Sequence, residues 1–316
     1  MSSLSKEAMR AYLSRSIASL NRNKLNGLLA EVDFRAHLAS LGFGDRVSRG
    51  GWIARKVGAG EFARKTAVFF PETITPANPY PSSRTLPQQD VGLHTICATF
   101  HQSGIAAFFC AATIEQTNVG ESVGWNAIQL GLPTAQTYQQ FPGSVTHLFS
   151  QRTRKYKYLR HKTNAEVIPS DAVAEEFSKE NLRIAFQTPF MAEVSDIDGI
   201  LWGQQFTYPL EIKEKTAAQD NRLGEFFGLD TGPFVKLAYY AAKRGNLHSL
   251  FVVREIDNVE TRRLVNWWFI KFEELAKFAS WVSLAGGPGM GGGASRVVCI
   301  PKAEFQPVTR ENLDRL

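Results

Sequence analysis

Cysteine is scarce in this sequence: Cys97, Cys110 and Cys299 are the only three in 316 residues, and no two form a C-x-x-C pair. That spacing excludes both a zinc ribbon and a disulfide scaffold, and it fits a reducing cytoplasm. No run of about eighteen apolar residues occurs, so no membrane span is expected. The opening stretch MSSLSKEAMRAYLSRS lacks the apolar segment of a secretory signal. The six histidines make no H-x-x-x-H pair and no HNH-type cluster, and there is no internal repeat. Charge of one sign is also in short supply. The formal net charge is +6 and the isoelectric point about 9.2. Such an excess suits a polyanionic partner without requiring one.

Hydrophobic residues make up 44% of the chain, enough to bury a substantial core in one large domain or two modest ones. Residues 4–20 and 24–41 read as helices; in the second, Leu25, Leu28, Leu29, Val32, Ala36 and Ala39 recur at helical spacing and Gly42 supplies the stop. Residues 45–57 read as extended, 64–70 as a strand, and 71–90, with five prolines, as a loop. A helix at 91–103 and a strand at 105–113 lead into 115–147, whose Gly, Gln, Thr and Asn content suggests irregular structure. A helix is expected at 171–187. It is followed by strand 192–202, a turn at Gly203, strand 206–215, a polar loop at 216–230 and a helix at 232–244. Strands at 248–255 and 263–270, a helix at 271–284, the loop Gly286–Gly293 and a strand at 295–300 complete the chain. The alternation predicts an α/β fold around a mixed sheet. Residues 1–165 are expected to form a recognition elaboration of one domain, or a separate recognition lobe, beside a catalytic core at 166–316.

The chemistry concentrates in that core. Glu211, Ile212 and Lys213 fall in a predicted strand, where alternate side chains share a face, so Glu211 and Lys213 point together while Leu210 and Ile212 point to a core. Asp198 ends the preceding extended run, followed by Gly199, with twelve residues separating it from Glu211. A hairpin pairing would bring Asp198 to Glu211 and Lys213. Crowded carboxylates repel, and a hard divalent cation with oxygen ligands relieves them. A lysine beside such an ion can orient the water it activates and offset charge growing on a phosphoryl group. The bland alternative is a surface hairpin with ordinary ion pairs among Asp198, Glu211 and Lys213.

Asp198-Gly199 followed by Glu211-Ile212-Lys213 resembles the motif of the PD-(D/E)XK nuclease superfamily, and within it the type II restriction endonucleases. Ile197 stands where the family's proline usually lies. The resemblance implies an αβββαβ core and Mg²⁺-dependent hydrolysis of double-stranded DNA, often by a homodimer. It also implies Asp198 and Glu211 as metal ligands and Lys213 as the catalytic lysine. Many such enzymes add a glutamate from a helix before the core, and Glu31 in GLLAEVDFRAHL would fill that role. Its rivals are Glu175 and Glu176, and its bland reading is an i,i+4 pair with Arg35. Asp196, two residues before Asp198, is the rival ligand. A repair, structure-selective or junction-resolving nuclease on the same fold is the alternative function, and a non-catalytic DNA-binding module a second.

For DNA contact the sequence offers QRTRKYKYLRHK at 151–162, where Arg152, Arg154, Lys155, Lys157, Arg160 and Lys162 alternate with tyrosines. Cations there supply salt-sensitive attraction to phosphates. Arg46 and Arg49, beside Gly50-Gly51, and Arg222, with Gln219 and Asp220 in the loop after the motif, are further candidates. Each is equally compatible with a solvated surface. Glu214 and Lys215 read as solvent-facing. The glycine-rich stretch GGPGMGGG runs from helix to strand, the reverse of a phosphate loop, and reads as a turn. Trp267-Trp268 reads as core.

Overall fold

The computed structural model describes residues 4–16, 22–56, 66–74, 91–114, 123–132, 136–145, 148–151, 165–243, 245–285 and 294–316. In chain order these form helices α1 (Lys6–Ser16) and α2 (Arg22–Ser40) and strands β1 (Val47–Ser48), β2 (Gly51–Lys56) and β3 (Ala67–Pro71). Helix α3 (Val91–Gln102) precedes β4 (Ala106–Ile114), β5 (Val123–Gln129), β6 (Gln139–Phe141), β7 (Ser150–Gln151) and helix α4 (Val173–Gln187). Strands β8 (Phe190–Ile197), β9 (Gly199–Trp202), β10 (Thr207–Lys215), β11 (Ala218–Asp220) and β12 (Gly224–Asp230) lead to helix α5 (Thr231–Ala241). The chain ends with β13 (Leu250–Ile256), β14 (Leu264–Lys271), α6 (Phe272–Phe278), β15 (Ser280–Ala285), β16 (Ala294–Pro301), β17 (Gln306–Pro307) and α7 (Arg310–Asp314). The protein is α/β with mixed sheets, and no helix among the described residues is long and apolar enough to cross a membrane.

The chain divides into two compact units, neither of which coincides with 1–165 or 166–316. Residues Met1–Leu20 and Arg49–Ile197 make the first, Asn21–Ser48 and Asp198–Leu316 the second. Pairing is the reason. Strand β8 hydrogen-bonds to β2, Gly51 lying opposite Ile197, so 166–197 folds with the first unit. Strand β1 pairs with β9, Val47 opposite Leu201, so 21–48 folds with the second.

In the first unit a seven-stranded sheet runs β6-β5-β4-β3-β2-β8-β7. Its parallel pair, β3 and β4, is joined through α3. Both strands read as near-continuous apolar runs because both faces are covered, and Ala67, Val68, Phe69 and Phe70 are all buried. Tyr12 of α1 meets Phe177 of α4 edge-on at 5.0 Å between ring centroids.

The second unit carries a six-stranded sheet, β1-β9-β10-β13-β14-β17, and a four-stranded one, β11-β12-β16-β15. Within the larger sheet β10 and β13 run parallel, connected by α5, and the other neighbours are antiparallel. Side-chain alternation sorts two cores. Leu210, Ile212, Leu250 and Val252 face one way and pack with Ala30, Phe34 and Leu38, which recur every four residues along α2. Phe251 and Val253 face the other way, joining Leu237 of α5, Leu275 of α6 and Phe227, Leu229, Val298 and Ile300 of the smaller sheet. Strand β10 is thus enclosed on both faces.

Four sequence expectations need correction. The stretch 115–147 contains β5 and β6, because Trp125 and Ala127 bury on alternate positions although polar residues and glycine dilute the pattern. The 216–230 loop is the β11–β12 hairpin, turned at Asp220, whose Oδ1 accepts from the backbone N–H groups of Arg222 (2.8 Å) and Leu223 (3.0 Å). The helix expected to reach 284 stops at Phe278, since Ala279 is extended and 280–285 pairs with β16. The strand expected at 192–202 is also interrupted: β8 and β9 belong to different sheets, and Asp198 is the break between them.

Candidate active site

Strands β9 and β10 form an antiparallel hairpin with Gly199 opposite Leu210 and Trp202 opposite Thr207. Continuing that register by one residue sets Asp198 across from Glu211. The Asp198 carboxylate is anchored by Oδ2, which accepts the N–H of Ile212 at 2.7 Å. Asp198 and Glu211 are each 1% exposed. Two acidic groups in so dry a place require compensation, because a buried charge without polar partners is costly.

For Glu211 the compensation is cationic. Lys213, two residues along the same face, sets its ammonium 2.6 Å from Oε1, and Lys236, reaching in from α5, pairs with Oε2. Asp198 also has an acid close by. Glu31 of α2 is buried, and a carboxylate oxygen of each lies within 4.8 Å of the other. The alternative of an i,i+4 pair with Arg35 on a solvated helix face does not match the burial of Glu31. Tyr240, one turn beyond Lys236, feels the whole group: burial pushes its phenol well above the usual range, Lys236 opposes, and Glu211 and Asp198 add to the rise. Lys215 extends the Glu211 face, and burial pushes its ammonium below the usual lysine range, with Asp230 opposing.

Glu31, Asp198, Glu211 and Lys213 therefore all lie in the second unit. Of the rivals, Glu175 and Glu176 are on α4, and Asp196 lies on β8 opposite Trp52. Glu214 and Lys215 are not solvent-facing. The Glu214 side chain is 8% exposed and accepts from Arg254 at 3.0 Å and from Arg262 at 2.8 Å. Arg254 in turn reaches Asp33 of α2 at 3.0 Å. This network lies on the α2 side of β10, where the parity of Glu214 puts it.

The proposed DNA contacts are scattered. Arg152, Arg154, Lys155, Lys157, Arg160 and Lys162 lie outside the described residues, as does the glycine-rich stretch 286–293. Arg46 stands over the Phe43 ring at 4.9 Å and pairs with Asp314 at 3.6 Å. Arg49 pairs with Glu175 at 3.5 Å in the first unit, and Arg222 is exposed at the tip of the β11–β12 hairpin.

Lys236 and Tyr240 were not legible as site residues. One signal existed: in GPFVKLAYYA a single cation interrupts an apolar helix, and a cation so placed needs a buried partner. The donor set suits a hard ion. Its ligands would be carboxylate oxygens; of the three buried thiols, Cys97 and Cys110 belong to the first unit and Cys299 lies on β16 opposite Gly228 in the smaller sheet. A magnesium ion holding two oxygens at about 2.1 Å asks for roughly 3–4 Å between them, a separation that Glu31 and Asp198 admit. The residues present fit such an ion.

Comparison with protein-family models, curated proteins and solved structures returns no match to this chain.

Proposed function

We propose that this protein is a Mg²⁺-dependent DNA endonuclease of the PD-(D/E)XK class, acting on double-stranded DNA at a defined sequence as a type II restriction enzyme, and working as a homodimer. The observation that carries the reading is the juxtaposition on β9 and β10: Asp198 oriented by the Ile212 N–H, next to Glu31, with Glu211 and Lys213 on the adjoining strand. The order of elements in the second unit supports it. Helix α2, antiparallel strands β1, β9 and β10, helix α5 and parallel strand β13 follow the αβββαβ sequence of that class. The Arg49–Ile197 part of the first unit is then a long insertion between the first and second strands of this core.

When bound, a magnesium ion would lower the pKa of a coordinated water and neutralise charge on the phosphoryl oxygens. The chain's own part is to place that chemistry. Asp198 and Glu31 supply oxygens from a buried, hydrogen-bonded position, and Glu211 supplies another from the neighbouring strand. Lys213, with 32% of its side chain exposed, is more accessible than Lys236 at 12%. Its ammonium is placed to orient the attacking water and to stabilise the negative charge that builds as the phosphodiester is attacked.

The test is incubation of plasmid and genomic DNA with the protein, with and without Mg²⁺, comparing wild type with Lys213→Ala. Discrete fragments are expected, with the variant slower by about 10²–10⁴-fold. Sequencing of the cut ends reports the recognition site and stagger. A featureless smear overturns the restriction assignment, and preference for branched or nicked substrates replaces it with a structure-selective nuclease. Absence of Mg²⁺-dependent cleavage on varied unmethylated DNA removes the enzyme reading.

A further inference from the structure

The carboxylate of Glu211 has an ammonium on each oxygen, Lys213 on Oε1 and Lys236 on Oε2. One monovalent carboxylate thus faces two cations, whereas Glu31 and Asp198, a strand away, face each other. The two lysines are not equivalent. Lys213 rises from the same strand at the more open side of the site. Lys236 projects from the middle of α5, next to Leu237, which is fully buried, and its own side chain is 12% exposed. Tyr240, 1% exposed, occupies the same helix face one turn on. A side chain set among such neighbours is held beside Glu211.

We infer that Lys236 is a positioning residue that holds Glu211 and lowers the site's affinity for divalent cations in the DNA-free protein, so that loading depends on the negative charge a substrate phosphate brings. This rests on the nuclease reading above. A divalent ion approaching Glu211 meets a fixed positive charge already on one of its two oxygens, and like charges at that range repel strongly where water is excluded. A phosphodiester arriving beside Lys213 and Lys236 offsets that repulsion, and metal and substrate then bind better together than apart. Such coupling keeps the hydrolytic site unloaded away from DNA.

The experiment measures Mn²⁺ and Mg²⁺ binding to the DNA-free full-length protein by calorimetric titration. It compares wild type, Lys236→Met, Lys236→Arg and Glu211→Gln, and the Glu211→Gln/Lys236→Met double variant. Removing the charge while keeping the stem in Lys236→Met is expected to tighten Mn²⁺ binding by about tenfold or more. Lys236→Arg restores wild-type affinity, and the gain disappears in the Glu211→Gln background. Lys236→Gln carries the same comparison should the methionine variant fail to fold. Equal Mn²⁺ affinity in wild type and Lys236→Met overturns this inference and leaves the nuclease reading standing. No divalent binding by any variant, wild type included, removes both.

Discussion

Replacing Asp198 by asparagine should stabilise the metal-free protein while abolishing its response to magnesium. The two acids Asp198 and Glu31 are buried with carboxylate oxygens no more than 4.8 Å apart. At an effective dielectric constant near 20, two unit charges at that range repel by about 3 kcal/mol. The ammonium groups around Glu211 soften this, and the asparagine keeps the acceptor for the Ile212 N–H while losing charge assistance worth about 1 kcal/mol. The net gain is about 1–2 kcal/mol, which at roughly 2–4 °C per kcal/mol raises the unfolding temperature by about 2–8 °C. The assay is scanning calorimetry of wild type and Asp198→Asn, each in EDTA and with Mg²⁺. Wild type should gain stability on Mg²⁺ addition, because a ligand that binds only the native state stabilises it. The variant should start higher and gain little. An Asp198→Asn protein less stable than wild type in EDTA, or one raised by Mg²⁺ as much as wild type, refutes the reasoning.

Three further outcomes are expected. Gly203→Ala should destabilise the second unit by about 1–3 kcal/mol, because a Cβ there would sit 2.3 Å from the backbone oxygen of Leu316; urea unfolding measures it. Glu214→Ala should cost about 2–4 kcal/mol in the same assay, since it leaves Arg254 and Arg262 without their shared carboxylate in a largely buried place. Burial holds His101 below its usual 6.5, so the unfolded chain takes up the proton first and stability falls as pH drops below 6.5 toward the folded value. His101→Asn should flatten that slope in denaturant titrations run across the window, whereas an unchanged slope assigns the acid sensitivity elsewhere.

The elements with strong periodicity were legible from the sequence. Local pattern placed helix α2 and the bounded apolar runs β13 and β14, but the helix face that buries is Ala30, Phe34 and Leu38, whereas Ala36 and Ala39 of the expected stripe are exposed. The hairpin around Gly203 was legible for the same reason, and with it the approach of Asp198 to the Glu211 strand. Three things were hidden. Strands β5, β11 and β12 carry too many glycines and polar residues for their alternation to stand out, and β12 also pairs with β16, far along the chain. The break at Asp198 was invisible because Phe190–Trp202 reads as one extended run, whereas its halves pair with β2 in one sheet and with β10 in another. Lys236 depends on the packing of α5 over β10, a non-local fact. Glu214 misled for a related reason: a charged residue at a strand end reads as solvated until Arg254 and Arg262, contributed by later segments, close over it.

The interleaving of the two units bears on how the molecule is made. During synthesis α2 and β1 emerge early, yet β9, the strand that β1 needs, is made only after Arg49–Ile197 has been released. Closing a loop of that length as a floppy chain would cost about 4 kcal/mol of entropy. Prior folding of the inserted stretch would remove most of that burden, since pairing of Gly51 with Ile197 ties its own two ends together. A nascent chain stalled anywhere between β1 and Asp198 holds Glu31 but not Asp198, only half of its acidic pair.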